Sequence, residues 1–133
     1  MIGLIDLGIS NIFSIYNALR YLGCKIKMVN TPKDFKNVKA IILPGVGTLR
    51  SGMYALKKKK LIDPLNNRAN DDLPILGICL GMQMLATTGD EGGDTKCLNL
   101  IKGKIKKLEY SENYQVPNIG WCDLLIKKKS ILF

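Results

Sequence analysis

Pro74-Ile75-Leu76-Gly77-Ile78-Cys79-Leu80-Gly81-Met82-Gln83 is the stretch that decides the fold. Leu73–Ile78 is a short apolar run with no alternation, which reads as a buried strand, and Leu80–Thr87 has the composition of the helix that follows it. Between them, Gly77-x-Cys79-x-Gly81 has the spacing of a nucleophile elbow. Its glycines permit a tight, strained turn that lifts the side chain of residue 79 above the sheet edge. The partial positive charge of a helix N-terminus stabilises a thiolate there. The backbone N–H of Leu80 is placed to meet a tetrahedral oxyanion. A small cysteine in a glycine-rich βα turn is also a common structural feature; the flanking strand and helix favour the nucleophile.

Working outward, strands and helices alternate. Ile2–Leu7 reads as a strand ending in a glycine turn. Ser10 reads as the N-cap of a helix whose apolar residues Ile12, Ile15, Tyr16, Leu19 and Leu22 recur at helical spacing until Gly23. Lys25–Val29 and Ala40–Leu43 are further strands. Leu49, Met53 and Leu56 mark one face of a helix, and Lys57–Lys60 sit where its C-terminus favours cations. A short helix from Pro64 to Ala69 precedes the opening stretch. Beyond the Gly89–Asp94 loop, Ile101–Leu108 and Ile119–Ile126 read as strands. The pattern predicts one doubly wound, mostly parallel α/β domain with flanking helices over residues 1–133, flavodoxin-like in plan. Ligands bind such sheets at the carboxyl ends of the strands.

A second turn falls at a strand's carboxyl end. The glycines of Pro44-Gly45-Val46-Gly47 let backbone N–H groups approach a substrate carbonyl oxygen, so Gly45 and Gly47 are candidate members of an oxyanion hole. Gln83 lies four residues after Cys79, one helical turn on, facing the same pocket. Glu91 lies in the loop beyond, where a carboxylate can hold a substrate ammonium. For each of these two an ordinary surface position is an equal reading.

The bulk numbers exclude other classes. The chain has 133 residues, 47% hydrophobic and 23% charged, enough for one packed core and too apolar for a disordered segment. It has no run long enough to span a bilayer, and its N-terminus reads as a strand rather than a signal peptide. Cys24, Cys79, Cys97 and Cys122 are scattered and there is no histidine, so neither a zinc site nor a cofactor is expected; free thiols point to the cytoplasm. The formal charge is +9, carried almost wholly by lysine. The runs Lys57–Lys60, Lys104–Lys107 and Lys127–Lys129 lack the arginines and interleaved aromatics of a nucleic-acid surface, and read as solvated faces.

Taken in order, Pro44-Gly45-Val46-Gly47, Gly52-Met53, Gly77–Gln83, Glu91-Gly92-Gly93, Gly103-Lys104-Ile105 and Val116-Pro117-Asn118-Ile119-Gly120-Trp121 resemble the class I glutamine amidotransferases. Among these, the likeness is strongest to the glutaminase subunits of imidazole glycerol phosphate synthase in histidine biosynthesis, and it runs from Met1 to Phe133. The resemblance implies hydrolysis of glutamine to glutamate and ammonia through a glutamyl thioester. The ammonia is channelled to a partner (βα)₈-barrel synthase subunit in a heterodimer that makes imidazole glycerol phosphate and AICAR. It implies Cys79 as nucleophile, Gly45, Gly47 and Leu80 in the oxyanion hole, and Gln83 and Glu91 on the substrate. Another ammonia-using synthase, such as one modifying a surface sugar, or a non-catalytic pseudo-subunit, are the alternatives.

Two departures stand out. The family's catalytic histidine and glutamate lie in a C-terminal His-Pro-Glu segment that these residues do not contain, so a domain truncated before that segment, with little or no activity alone, is expected. Asn118 stands where the family usually has histidine, and Asp6-Leu7-Gly8-Ile9-Ser10-Asn11 replaces the usual turn after the first strand.

Overall fold

A computed structural model describes residues 1–91, 93–109, 116 and 119–127. Its core is a four-stranded parallel sheet of β1 (Ile2–Ile5), β2 (Ile26–Val29), β3 (Ala40–Gly45) and β4 (Ile75–Cys79), in the order β2-β1-β3-β4. This order places neighbours on both sides of β1, as the doubly wound reading requires.

Helix α1 (Ile12–Tyr21) covers one face, where Ile12 and Leu19 pack with Leu4 of β1 and Ile42 of β3. Helices α2 (Leu49–Lys58) and α3 (Ile62–Asn70) belong to the larger cluster on the other side, with Leu49, Leu56 and Leu65 fully buried among Ile5, Ile41 and Leu43. Burying each such side chain contributes about 1.5–3 kcal/mol, so this two-sided apolar layer is what holds the sheet.

The helix ends share one device. After α1, Gly23 N–H bonds to Arg20 C=O and Cys24 N–H to Leu19 C=O, with Gly23 at φ +73. After α2 the same pair of bonds runs from Lys60 to Lys57 and from Leu61 to Leu56. After α3 it runs from Asp72 to Ala69 and from Leu73 to Arg68. All three are Schellman caps, and in the last two the left-handed position is filled by Lys60 (φ 58) and Asp72 (φ 56).

Several boundaries differ from the sequence reading. The cap of α1 is Asn11, not Ser10, whose buried hydroxyl has no partner; the chain is instead turned by Asp6, whose carboxylate accepts the Gly8 N–H at 2.8 Å. Helix α4 (Leu80–Met84) stops short of Thr87 because segment 98–101 folds back on it. The N–H groups of Leu98, Leu100 and Asn99 bond to the carbonyls of Met84, Leu85 and Ala86. Strand β4 is not buried on both faces: Leu76 and Ile78 are exposed, since α1 reaches only as far as β3 and, among the described residues, nothing lies over them.

A small second sheet, β6-β5-β7, joins β5 (Thr88–Gly89), β6 (Thr95–Lys96) and β7 (Lys104–Ile105). Of the expected strand over 101–108 only β7 pairs. Over 119–126 there is none: the segment is exposed, and among the described residues no neighbouring strand accepts its backbone bonds. Asn118 lies outside the described residues.

Candidate active site

Cys79 closes β4 and immediately precedes α4 at φ 55, ψ −117, a conformation that costs a non-glycine residue about 1–3 kcal/mol. Here the structure refines the sequence reading. The strain is carried by the cysteine itself, and the flanking glycines serve close approach. A Cβ on Gly77 would sit 2.5 Å from the Met82 backbone, and one on Gly81 would sit 1.7 Å from the Leu43 carbonyl oxygen. Helix α4 can therefore press against β3 and fold back under β4 only if both positions lack a side chain. The turn leaves Cys79 exposed, and among the described residues its Sγ makes no hydrogen bond.

Three of the expected residues meet here. Gly45 is the register partner of Cys79 across β3 and β4, and its Cβ position lies 3.2 Å from the Leu80 Cβ. Leu80 is buried, and as the first residue of α4 its N–H has no partner within the helix. Gly47, at φ +103, ends the loop that leaves Gly45 and enters α2. That loop is anchored at both sides. The Val46 N–H donates to the Ile9 carbonyl at 2.9 Å, and Thr48 caps α2 by accepting the Ser51 N–H at 3.2 Å. The Val46 N–H is thus engaged by the Ile9 carbonyl in this arrangement, and the N–H groups of Gly45, Gly47 and Leu80 remain the candidates for an oxyanion.

Glu91 reaches this neighbourhood from the far side. One of its carboxylate oxygens accepts the Leu49 N–H at 3.3 Å, in the first turn of α2, where a negative charge is favoured. No local pattern signals this bond, which spans 42 residues. Gln83 lies half-buried on α4, one turn after Cys79. A cleft of about 880 Å³ lies elsewhere: it is lined by Asp90, Lys104, Lys106, Lys107 and Glu109 among others, and Lys104 is paired there with Asp90 and Asp94. Of the other thiols, Cys97 is half-buried and is pushed above its ordinary value by that burial.

The strained cysteine between a parallel strand and a helix, opposite a glycine loop at the next strand's end, lies inside the span that a known family matches. The family model described as glutamine amidotransferase class-I covers residues 3–122. The chain belongs to the class I glutamine amidotransferases. It is 38% identical over 136 residues to the imidazole glycerol phosphate synthase subunit HisH of Geobacillus thermodenitrificans, covering 99% of this chain and 64% of that one. It is 43% identical over 131 residues to the same subunit of Prochlorococcus marinus strain MIT 9312, covering 98% and 63%. Against the chloroplastic imidazole glycerol phosphate synthase hisHF of Arabidopsis thaliana it is 40% identical over 130 residues, covering 98% of this chain and 22% of that one. The chain thus spans just under two thirds of the bacterial relatives' length. A solved structure entitled "Crystal structure of glutamine amidotransferase" superposes with a TM-score of 0.69 at 21% identity, over 79% of this chain and 55% of that one, which supports the amidotransferase fold. No described helix is long and apolar enough to cross a membrane.

Proposed function

We propose that these residues carry the nucleophile and oxyanion side of a glutaminase that splits glutamine to glutamate and ammonia. The observation that carries the reading is Cys79 at φ 55, ψ −117, held opposite Gly45 at the carboxyl ends of β4 and β3. The Cys79 thiolate attacks the side-chain amide carbon of glutamine. The carbonyl oxygen takes the electron pair and is met by the N–H groups of Leu80 and of the Gly45–Gly47 loop. Collapse breaks the C–N bond, the nitrogen leaves as ammonia with a proton from the medium or from a general acid, and a glutamyl thioester remains. Water then cleaves the thioester, restoring the thiol and releasing glutamate. Glu91 and Gln83 are assigned to the amino-acid end of the substrate. With no histidine in 133 residues, an imidazole base must come from outside them.

The relatives are named as parts of imidazole glycerol phosphate synthase, and this supports ammonia delivery to a (βα)₈-barrel cyclase in a cytoplasmic heterodimer of histidine biosynthesis. The second reading is a subunit that keeps the fold without catalysis. One experiment separates them. A γ-glutamyl p-nitrophenyl ester has a leaving group that needs no protonation, so it tests acylation alone. The expected result is a burst of one nitrophenolate per chain, lost in Cys79→Ala. No burst, or an equal burst from the variant, overturns the glutaminase reading. Co-purification with a barrel synthase from the native host tests the partner.

A further inference from the structure

We propose that Lys104 is a positioning residue that sets Glu91 for the substrate ammonium, a role that rests on the glutaminase reading above. Glu91 lies in the loop between β5 and β6, and the two ends of that loop are Asp90 and Asp94. Lys104, on β7, reaches both: its Nζ lies 3.6 Å from Asp90 Oδ2 and 3.5 Å from Asp94 Oδ1. Two further bonds fix Asp90 to the same segment. Its N–H donates to the Ile105 carbonyl at 3.2 Å, and its second carboxylate oxygen accepts the Lys107 N–H at 3.3 Å. The loop closes on itself where the Gly93 N–H donates to the Asp90 carbonyl at 3.1 Å. Glu91 is therefore held from behind by β7 and in front by α2, where one of its oxygens accepts the Leu49 N–H. Among the described residues its other oxygen accepts no hydrogen bond, which leaves it for a ligand.

The arrangement singles out Lys104 from its neighbours. Lys106 and Lys107 line the same cleft, but among the described residues neither ammonium pairs with a carboxylate. One ammonium facing carboxylates at both ends of a short loop draws those ends together. Without it, Asp90 and Asp94 repel each other across the turn. Both pairs are largely exposed, so each is weak and is screened by salt. The consequence is accordingly modest, and it is specific. A loosened loop lets Glu91 swing away from the amino-acid end of the substrate, while Cys79 and the scissile amide are untouched. The loss then falls on the substrate concentration required rather than on the maximal rate.

The test follows the nitrophenolate burst of the 133-residue chain against ester concentration. For the γ-glutamyl p-nitrophenyl ester, Lys104→Met is expected to raise the half-saturating concentration roughly 2–5-fold, the range open to exposed ion pairs. The maximal burst rate should stay unchanged. Lys104→Arg should restore the wild-type value. Asp94→Asn, which removes one of the two pairs, should reproduce part of the loss, and it reads the same clamp if Lys104→Met does not fold. Mono-p-nitrophenyl glutarate is the same ester without the α-amino group, and it keeps the free carboxylate. It should react alike with Lys104→Met and wild type, which separates a lost grip on the ammonium from a changed surface charge. In a Glu91→Gln background, Lys104→Met should have no further effect. The proposal is overturned if the half-saturating concentration is unchanged, if the glutarate ester shows the same loss, or if maximal rate and melting temperature fall together. A wild-type chain with no burst from either ester sinks the glutaminase reading first, and this role with it. A wild-type burst with any of the overturning results sinks this role alone.

Discussion

At the scale of single residues, Cys79 carries a conformation that its own side chain disfavours. Only the packing around it keeps it there. Replacing it by glycine should remove that strain, so Cys79→Gly is expected to raise unfolding stability by about 1 kcal/mol while abolishing acylation. Urea denaturation of the two proteins checks this; an unchanged or lower midpoint would show that the turn is relaxed. The Gly-x-Cys-x-Gly spacing was readable because it is local. What it could not reveal was the division of labour within it. Gly81 is required by the Leu43 carbonyl oxygen, an atom 38 positions away in sequence. Glu91 teaches the same point: its carboxylate was expected on a substrate, and the fold uses one of its oxygens at the first turn of α2.

Elements end and begin by local chemistry, and two of these devices are testable. Lys60 sits in the left-handed cap position that glycine fills after α1. The left-handed penalty of about 1–2 kcal/mol exceeds the extra chain entropy of glycine, about 0.5–1 kcal/mol, so Lys60→Gly should stabilise by roughly 0.5–1 kcal/mol. A thermal melt that moves down instead would refute it. The 3₁₀ turn over Pro32–Phe35 is opened by a capping box in which Asp34 accepts from the Thr31 hydroxyl and from the N–H groups of Asn30 and Thr31. These bonds, the Thr31 hydroxyl first, hold the Asp34 carboxyl below its ordinary value of 3.8. A lowered folded-state value means the contribution is full above pH 3.8 and fades as the pH falls below it through the folded-state value. Asp34→Ala should therefore cost stability at pH 7, and the gap between variant and wild type should narrow in that acid range. A gap independent of pH would assign the effect to something other than the carboxylate. Lys60 as a cap was not legible, because lysine carries no left-handed signal of its own.

For the whole molecule, the acid–base side of the site is the open question, because these 133 residues place no histidine beside Cys79. With Cys79 exposed and no histidine in the sequence, sustained ammonia release from glutamine should run about 10²–10⁴-fold below a site with a positioned base. Added imidazole, small enough to reach an exposed sulfur, should accelerate breakdown of the thioester. Coupled measurement of ammonia against imidazole concentration checks both, and a fast, imidazole-independent rate would show a base that the sequence conceals. The sequence by itself determined the alternation of strands and helices, the parallel doubly wound plan, the cysteine turn and the family. Each of these is written in hydrophobic period and turn residues within a few positions of one another. Only the tertiary structure decided which face of β4 stays open, where α4 ends and what Glu91 holds. Those outcomes depend on atoms tens of residues apart, and only the packing of α2 and α4 against the sheet brings them within a hydrogen bond of each other.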